Sequence, residues 1–183
     1  MKKPKIFIAC DTAKKNEVRK IIAQTKTNKL KIGYKFGLEF LNSKYSRKFI
    51  SNLKNKITFG DYKLADIPNT CSSAVKAVKD LKLNYLTIHI SSGLDAIKAA
   101  KKVRGSIKLI GVTVLTSLDN KSLKQIGHTK KIKRLVLKQT ELIRKSKCDG
   151  IVCSAQEALI VRRKYKNLII ITPGIRLPGD SSN

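Results

Sequence analysis

The chain is poor in the features that would tie it to a membrane, a nucleotide loop or a disulfide framework. No apolar run reaches the roughly 18 residues of a membrane span. Met1-Lys2-Lys3-Pro4 leads into a short strand-like run ending at Asp11 rather than into a signal peptide. A cytoplasmic protein with no membrane partner is therefore expected. The four cysteines, Cys10, Cys71, Cys148 and Cys153, include no CxxC pair. That spacing argues against a zinc site and a disulfide framework alike, and three of the four lie in or beside apolar segments, as buried reduced thiols do. No GxGxxG or GxxxxGK[ST] loop follows any apolar run, which removes the usual phosphate cradle of open α/β sheets. Aromatic residues are only 5% of the chain, leaving few platforms on which bases could stack.

What the chain has in excess is positive charge: 40 Lys and Arg stand against 12 Asp and Glu, for a formal net charge of +28. Taken alone, that balance favours a polyanion such as RNA or DNA. However, 32 of the 40 are lysine and only 8 arginine. They are scattered over predicted helix faces instead of forming one basic arm, which is the pattern of a solvated surface, so no nucleic-acid partner is expected. A basic nucleic-acid-binding protein is the alternative from a different functional class, recognisable by tight RNA binding with a steep salt slope. A positive surface would also speed capture of a small phosphorylated substrate. At 183 residues with 42% hydrophobic content, the chain fits a single domain spanning residues 1–183 with a real core.

Short runs rich in Ile, Val, Leu and Phe alternate with longer helical patterns, as repeated βα units around a parallel sheet do. Seven strands are predicted, near residues 6–11, 30–34, 57–63, 85–90, 109–115, 150–154 and 168–172. Helices are predicted near 14–24, 38–53, 70–81, 94–103, 131–147 and 155–165. Polar residues with chemical potential fall where strands end: Asp11, Asp61 with Lys63, His89, Thr116 with Ser117, and Ser154. One-sided placement of this kind is the mark of an α/β (β/α)8 TIM barrel, whose active sites form at the C-terminal rim. A barrel needs eight strands, and about seven are countable, so the last βα unit is expected to be lacking.

The densest polar cluster is Asp61-Tyr62-Lys63-Leu64-Ala65-Asp66-Ile67-Pro68-Asn69-Thr70. On a strand, Asp61 and Lys63 are two apart and share a face, while Asp66 falls in the turn beyond. Paired charges are costly to bury unless each satisfies the other, and perturbed titrating groups gather where catalysis needs them. Lys31 sits in an apolar strand, where a lysine is uncommon unless its ammonium is paired or reaches the rim. Asp11 either supplies a rim carboxylate or caps the helix that follows.

The ten-residue run resembles the signature of the orotidine 5′-phosphate decarboxylases. Ala9-Cys10-Asp11, Leu30-Lys31-Ile32-Gly33, Val112 to Ser117 and Thr172-Pro173-Gly174-Ile175-Arg176 extend the resemblance over essentially the whole chain. It implies a (β/α)8 barrel, a homodimer, and cofactor-independent conversion of orotidine 5′-monophosphate to UMP and CO₂ in pyrimidine biosynthesis. It further implies that Lys63 is the proton donor and that Lys31, Asp61 and Asp66 complete a charge network around it. Asp66, Ile67 and Thr70 would act across the dimer interface. Asp11 would hold ribose hydroxyls, Thr116 and Ser117 would meet the pyrimidine, and Arg176 would lie in the loop that closes on substrate. No metal is implied. Metal-dependent sugar-phosphate synthases and decarboxylases of the same suprafamily are the alternative. They share the Asp-x-Lys-x-x-Asp run but carry an acidic metal ligand near the position of Lys31 and lack the Ile67 to Thr70 ending. The resemblance also leads one to expect a shortened chain of low activity that tends to associate, because the phosphate-gripping residues after the eighth strand have no counterpart before Asn183.

Overall fold

The computed structural model describes residues 5–175. Among these residues, seven strands form one sheet: β1 (Lys5–Cys10), β2 (Lys31–Phe36), β3 (Ile57–Leu64), β4 (Tyr85–His89), β5 (Lys108–Val112), β6 (Gly150–Val152) and β7 (Ile169–Ile171). Each strand pairs in parallel with the next, in the order β1 to β7 with no reversal. A doubly wound sheet requires a switch point where strand order reverses. Unbroken sequential order instead winds the chain one way around, as in a (β/α)8 barrel.

Curvature is visible in contacts that skip strands. Lys5 Nζ on β1 donates to the Tyr85 hydroxyl on β4 at 2.7 Å. The Phe7 ring lies 5.1 Å from Phe59 and 5.2 Å from Tyr85, both edge-on. Strands three places apart can touch in this way only through the inside of a curled sheet. Phe59, Tyr85 and Ile110, with Phe7, Ile57, Val152, Ile169 and Ile171 around them, fill that interior. Residues of opposite parity, such as Phe36, Leu86, Ile88, Leu109 and Ile151, point outward into the second core, between sheet and helices. The strands are buried on both faces, as parallel sheets are.

Among the described residues, eight α-helices cover the outside: α1 (Lys15–Gln24), α2 (Leu38–Leu41), α3 (Ser46–Ser51), α4 (Pro68–Ala77), α5 (Gly93–Val103), α6 (Asn120–Gln125), α7 (Ile132–Lys145) and α8 (Ala155–Lys164). On α7, Leu135, Val136, Thr140 and Ile143 are buried, the one-face spacing of an amphipathic helix. α4 starts with Pro68 in its first turn, where the missing N–H costs nothing. α8 starts in a capping box: the Ser154 N–H donates to Glu157 Oε2 at 3.0 Å, and the Ser154 hydroxyl bonds the same carboxylate. Ser154, a strand-end residue with apparent chemical potential, is thus occupied as a cap. No helix among the described residues is long and apolar enough to cross a membrane.

The predicted strand positions all recur, with ends displaced by at most three residues. Two differences have local causes. The single helix expected over 38–53 is two, because the side chains of Asn42 and Ser43 bond the Leu38 and Phe40 carbonyls and close the first one early. Between β5 and α7 a further helix, α6, forms where none was expected, started by Asp119, whose carboxylate accepts from the Ser122 N–H at 2.7 Å and from its hydroxyl at 2.8 Å.

Candidate active site

Alternation along the inward face of the strands decides what reaches the C-terminal rim. Inward positions run Phe7 to Asp11 on and beyond β1, Lys35 on β2, Phe59 and Asp61 on β3, and Tyr85, Thr87 and His89 on β4. Above the aromatic plug this brings four charges of alternating sign into one row. Lys35 Nζ lies 3.2 Å from Asp11 Oδ1 and 3.8 Å from Asp61 Oδ2. Lys63 Nζ lies 2.7 Å from that same Asp61 Oδ2. Asp61 is the buried centre of the row, its side chain 12% exposed, whereas the Lys63 side chain is 38% exposed and can meet a ligand.

The lysine completing the row is Lys35 and not Lys31. Lys31 opens β2 opposite Lys5, at the far end of the barrel, and is exposed. Four residues of strand separate the two lysines by about 13 Å, and both are followed two residues later by glycine. Gly37 is needed where it is: a Cβ there would lie 2.6 Å from Asp11 Oδ1 and 3.8 Å from Lys35 Nζ. The absent side chain leaves room for the ion pair.

β3 carries an irregularity at the site. Gly60 pairs with Leu86 and Leu64 with Ile88, so four residues of β3 are spanned by two of β4. Lys63 in this bulge has φ +47°, a left-handed conformation that costs a non-glycine residue about 1–3 kcal/mol and tends to occur at functional sites. Thr87, wholly buried, stands opposite it. Its Oγ1 accepts the Lys63 N–H at 2.8 Å and donates to Asp61 Oδ1 at 3.0 Å. A threonine in an apolar strand reads as a β-former, so composition gave no sign of this bond.

Among the described residues, the other expected ones make no bond to the Lys63 side chain within the one chain. Asp66 through Thr70 are all exposed. The Asp66 carboxylate accepts the Ile67 N–H at 2.7 Å and makes no ion pair among the described residues, and Ile67 is 65% exposed. Thr116 and Ser117 form an exposed turn beyond β5, and Arg176 lies outside the described residues. His89 ends β4, where its Nδ1 bonds the Ser91 hydroxyl at 2.7 Å. Burial, and then the nearby Lys63 charge, hold its pKa below the usual histidine value. A cavity of about 510 Å³ lies beside this histidine, between the ends of β4 and β5 and the α6–α7 hairpin, and reaches Leu115 and Leu118 but not Lys63. Burial, reinforced by the Asp11 charge, pushes the Cys10 thiol up to about 11, which keeps it protonated beside the site.

Barrel and rim together define an enzyme architecture with fixed charge at the mouth of the sheet. The sequence pattern of the orotidine 5′-phosphate decarboxylase / HUMPS family matches residues 4–183. An orotidine 5′-phosphate decarboxylase of Coxiella burnetii is 36% identical over 97% of this chain and 78% of its own. One from the Wolbachia of Culex pipiens is 42% identical, over 94% of this chain and 77% of its own. The crystal structure of orotidine 5′-phosphate decarboxylase from Lactobacillus acidophilus superposes with a TM-score of 0.84 at 28% identity, covering 93% of this chain and 81% of that one. The chain belongs to the orotidine 5′-phosphate decarboxylase family.

Proposed function

We propose that the chain decarboxylates orotidine 5′-monophosphate to UMP and CO₂, with Lys63 as proton donor. The observation that carries this reading is the row Asp11, Lys35, Asp61, Lys63, which places an aimed ammonium at the rim of a barrel whose named relatives are orotidine 5′-phosphate decarboxylases. When the ring–carboxylate bond breaks, CO₂ leaves and the bonding electron pair stays on the pyrimidine carbon. The Lys63 ammonium stabilises that developing charge electrostatically, then gives its proton to the carbon and is reprotonated from water. Asp61 holds the Lys63 ammonium in place through their 2.7 Å ion pair. Lys35 shares Asp61 Oδ2 with Lys63 and steadies Asp11 by bonding both of its oxygens, at 3.2 and 3.4 Å, while the exposed carboxylate of Asp11 keeps lone pairs for ribose hydroxyls.

A second copy of the chain would supply Asp66, Ile67 and Thr70. Their common exposure, with an isoleucine in the run, and the open side of Lys63 support that placement. Thr116 and Ser117 would meet the pyrimidine, and Arg176 would approach the phosphate. The metal-dependent alternative calls for an acidic ligand at the second strand's rim, and an ammonium, that of Lys35, occupies this position between Asp11 and Asp61.

The test is to incubate the protein with orotidine 5′-monophosphate and identify the product by chromatography, with and without a chelator. UMP formed at equal rates in both supports the proposal. UMP absent, or formed only without chelator, refutes it.

A further inference from the structure

The Thr87 hydroxyl has two partners, and both belong to the proton-donor machinery. It accepts the backbone N–H of Lys63 and donates to the Asp61 oxygen that Lys63 does not use. One hydroxyl therefore fixes the donor's backbone and its carboxylate partner together. The bulge explains the need. With four residues of β3 set against two of β4, the regular ladder cannot bond the Lys63 amide. Lys63 is at φ +47°, where a side chain stays only if its surroundings hold it. Thr87 is 0% exposed, so water cannot replace its hydroxyl.

We propose that Thr87 is a positioning residue for proton transfer. It holds Lys63 in its left-handed conformation and Asp61 at the angle from which the ammonium is aimed. The inference rests on the decarboxylase reading for its kinetic consequence, but the bridge itself is independent of that reading. Thr87, 0% exposed, offers no surface to a ligand, so its loss should act on kcat. A misaimed ammonium fails at the step where charge develops on carbon, while binding of the phosphorylated nucleoside is left largely intact.

The test compares the parent chain with Thr87→Val, which keeps the shape and removes the hydroxyl, and with Thr87→Ser, which keeps the hydroxyl. Turnover of orotidine 5′-monophosphate and hydrogen exchange of the Lys63 amide by NMR are measured on all three. The expected result is that valine lowers kcat by about 10- to 100-fold with KM changed less than about threefold, and speeds Lys63 amide exchange by at least about tenfold. Serine should restore both. A valine variant with kcat within about twofold of the parent, or a loss that appears in KM alone, overturns the positioning role while leaving the decarboxylase reading intact. If the parent itself does not turn over the nucleotide, the decarboxylase reading fails, and exchange still decides the bridge. Faster exchange in valine but not in serine upholds it, and unchanged exchange in valine overturns it.

Discussion

Lys31 and Lys35 show what a single residue can and cannot announce. Both lie on the inward face of β2, and both precede a glycine by two positions. Period-two reasoning places both on the barrel interior, but only the register with β1 and β3 says which one reaches the rim. That register depends on pairing between distant segments, so Lys31 was a natural expectation and Lys35 is the structural outcome. If Lys35 neutralises Asp61 at the rim, Lys35→Met lowers kcat/KM by about 100-fold or more, the usual scale for one preorganised charge. Lys31→Met, at the opposite end, leaves steady-state kinetics within about twofold of the parent. Comparing the two variants checks the assignment. His89 gives a second handle. Its folded pKa lies below its unfolded value of about 6.5 because burial, then Lys63, disfavours the charged form. The stability it contributes is present above about pH 6.5 and is lost as pH falls through the lower folded value. Urea midpoints measured from pH 7.5 to 5 should therefore fall less steeply in His89→Asn than in the parent.

The regular elements were legible because each βα unit declares itself locally. Apolar runs such as Ile57 to Phe59 and Leu109 to Val112 alternate with one-sided helices such as α7, and neither pattern needs a distant partner to be read. What was not legible depends on side chains bonding backbone. Asn42 and Ser43 ended α2 early, Asp119 started α6, and the bulge in β3 turned the simple Asp61–Lys63 alternation into a strained turn held by Thr87. Ile67 to Thr70 stands out in the sequence, but its expected role requires a surface that one chain does not contain. Packing between the last two strands supplies a prediction at this scale. A Cβ on Gly150 would lie 2.5 Å from the Ile169 carbonyl oxygen and 2.6 Å from its Cβ. The clash includes backbone, which cannot turn aside as a flexible side chain can. Gly150→Ala should destabilise the fold by about 1–3 kcal/mol, read as a lower urea midpoint, with β6 and β7 losing hydrogen-exchange protection before the rest of the sheet.

At the scale of the molecule, sequential strand order, an aromatic plug and a charged rim combine into a barrel whose chemistry sits at one end. The net charge of +28 gives the molecule as a whole a positive field, which should attract an anionic nucleotide over distances that salt shortens to about 8–10 Å. Raising ionic strength from 20 to about 300 mM is expected to lower kcat/KM severalfold while leaving kcat almost unchanged, since steering acts on encounter and not on chemistry. Equal loss in both would place the salt effect in the site. The central claim is that the Lys63 ammonium at this rim delivers the proton after CO₂ departs. Its most direct test is the absorbance decrease of orotidine 5′-monophosphate on mixing with the parent chain and with Lys63→Ala, both shown to be folded by circular dichroism. The account predicts conversion by the parent and a rate at least about 10⁴-fold lower in the variant, the upper range for losing a positioned acid. Conversion by Lys63→Ala at a rate near the parent's would contradict it.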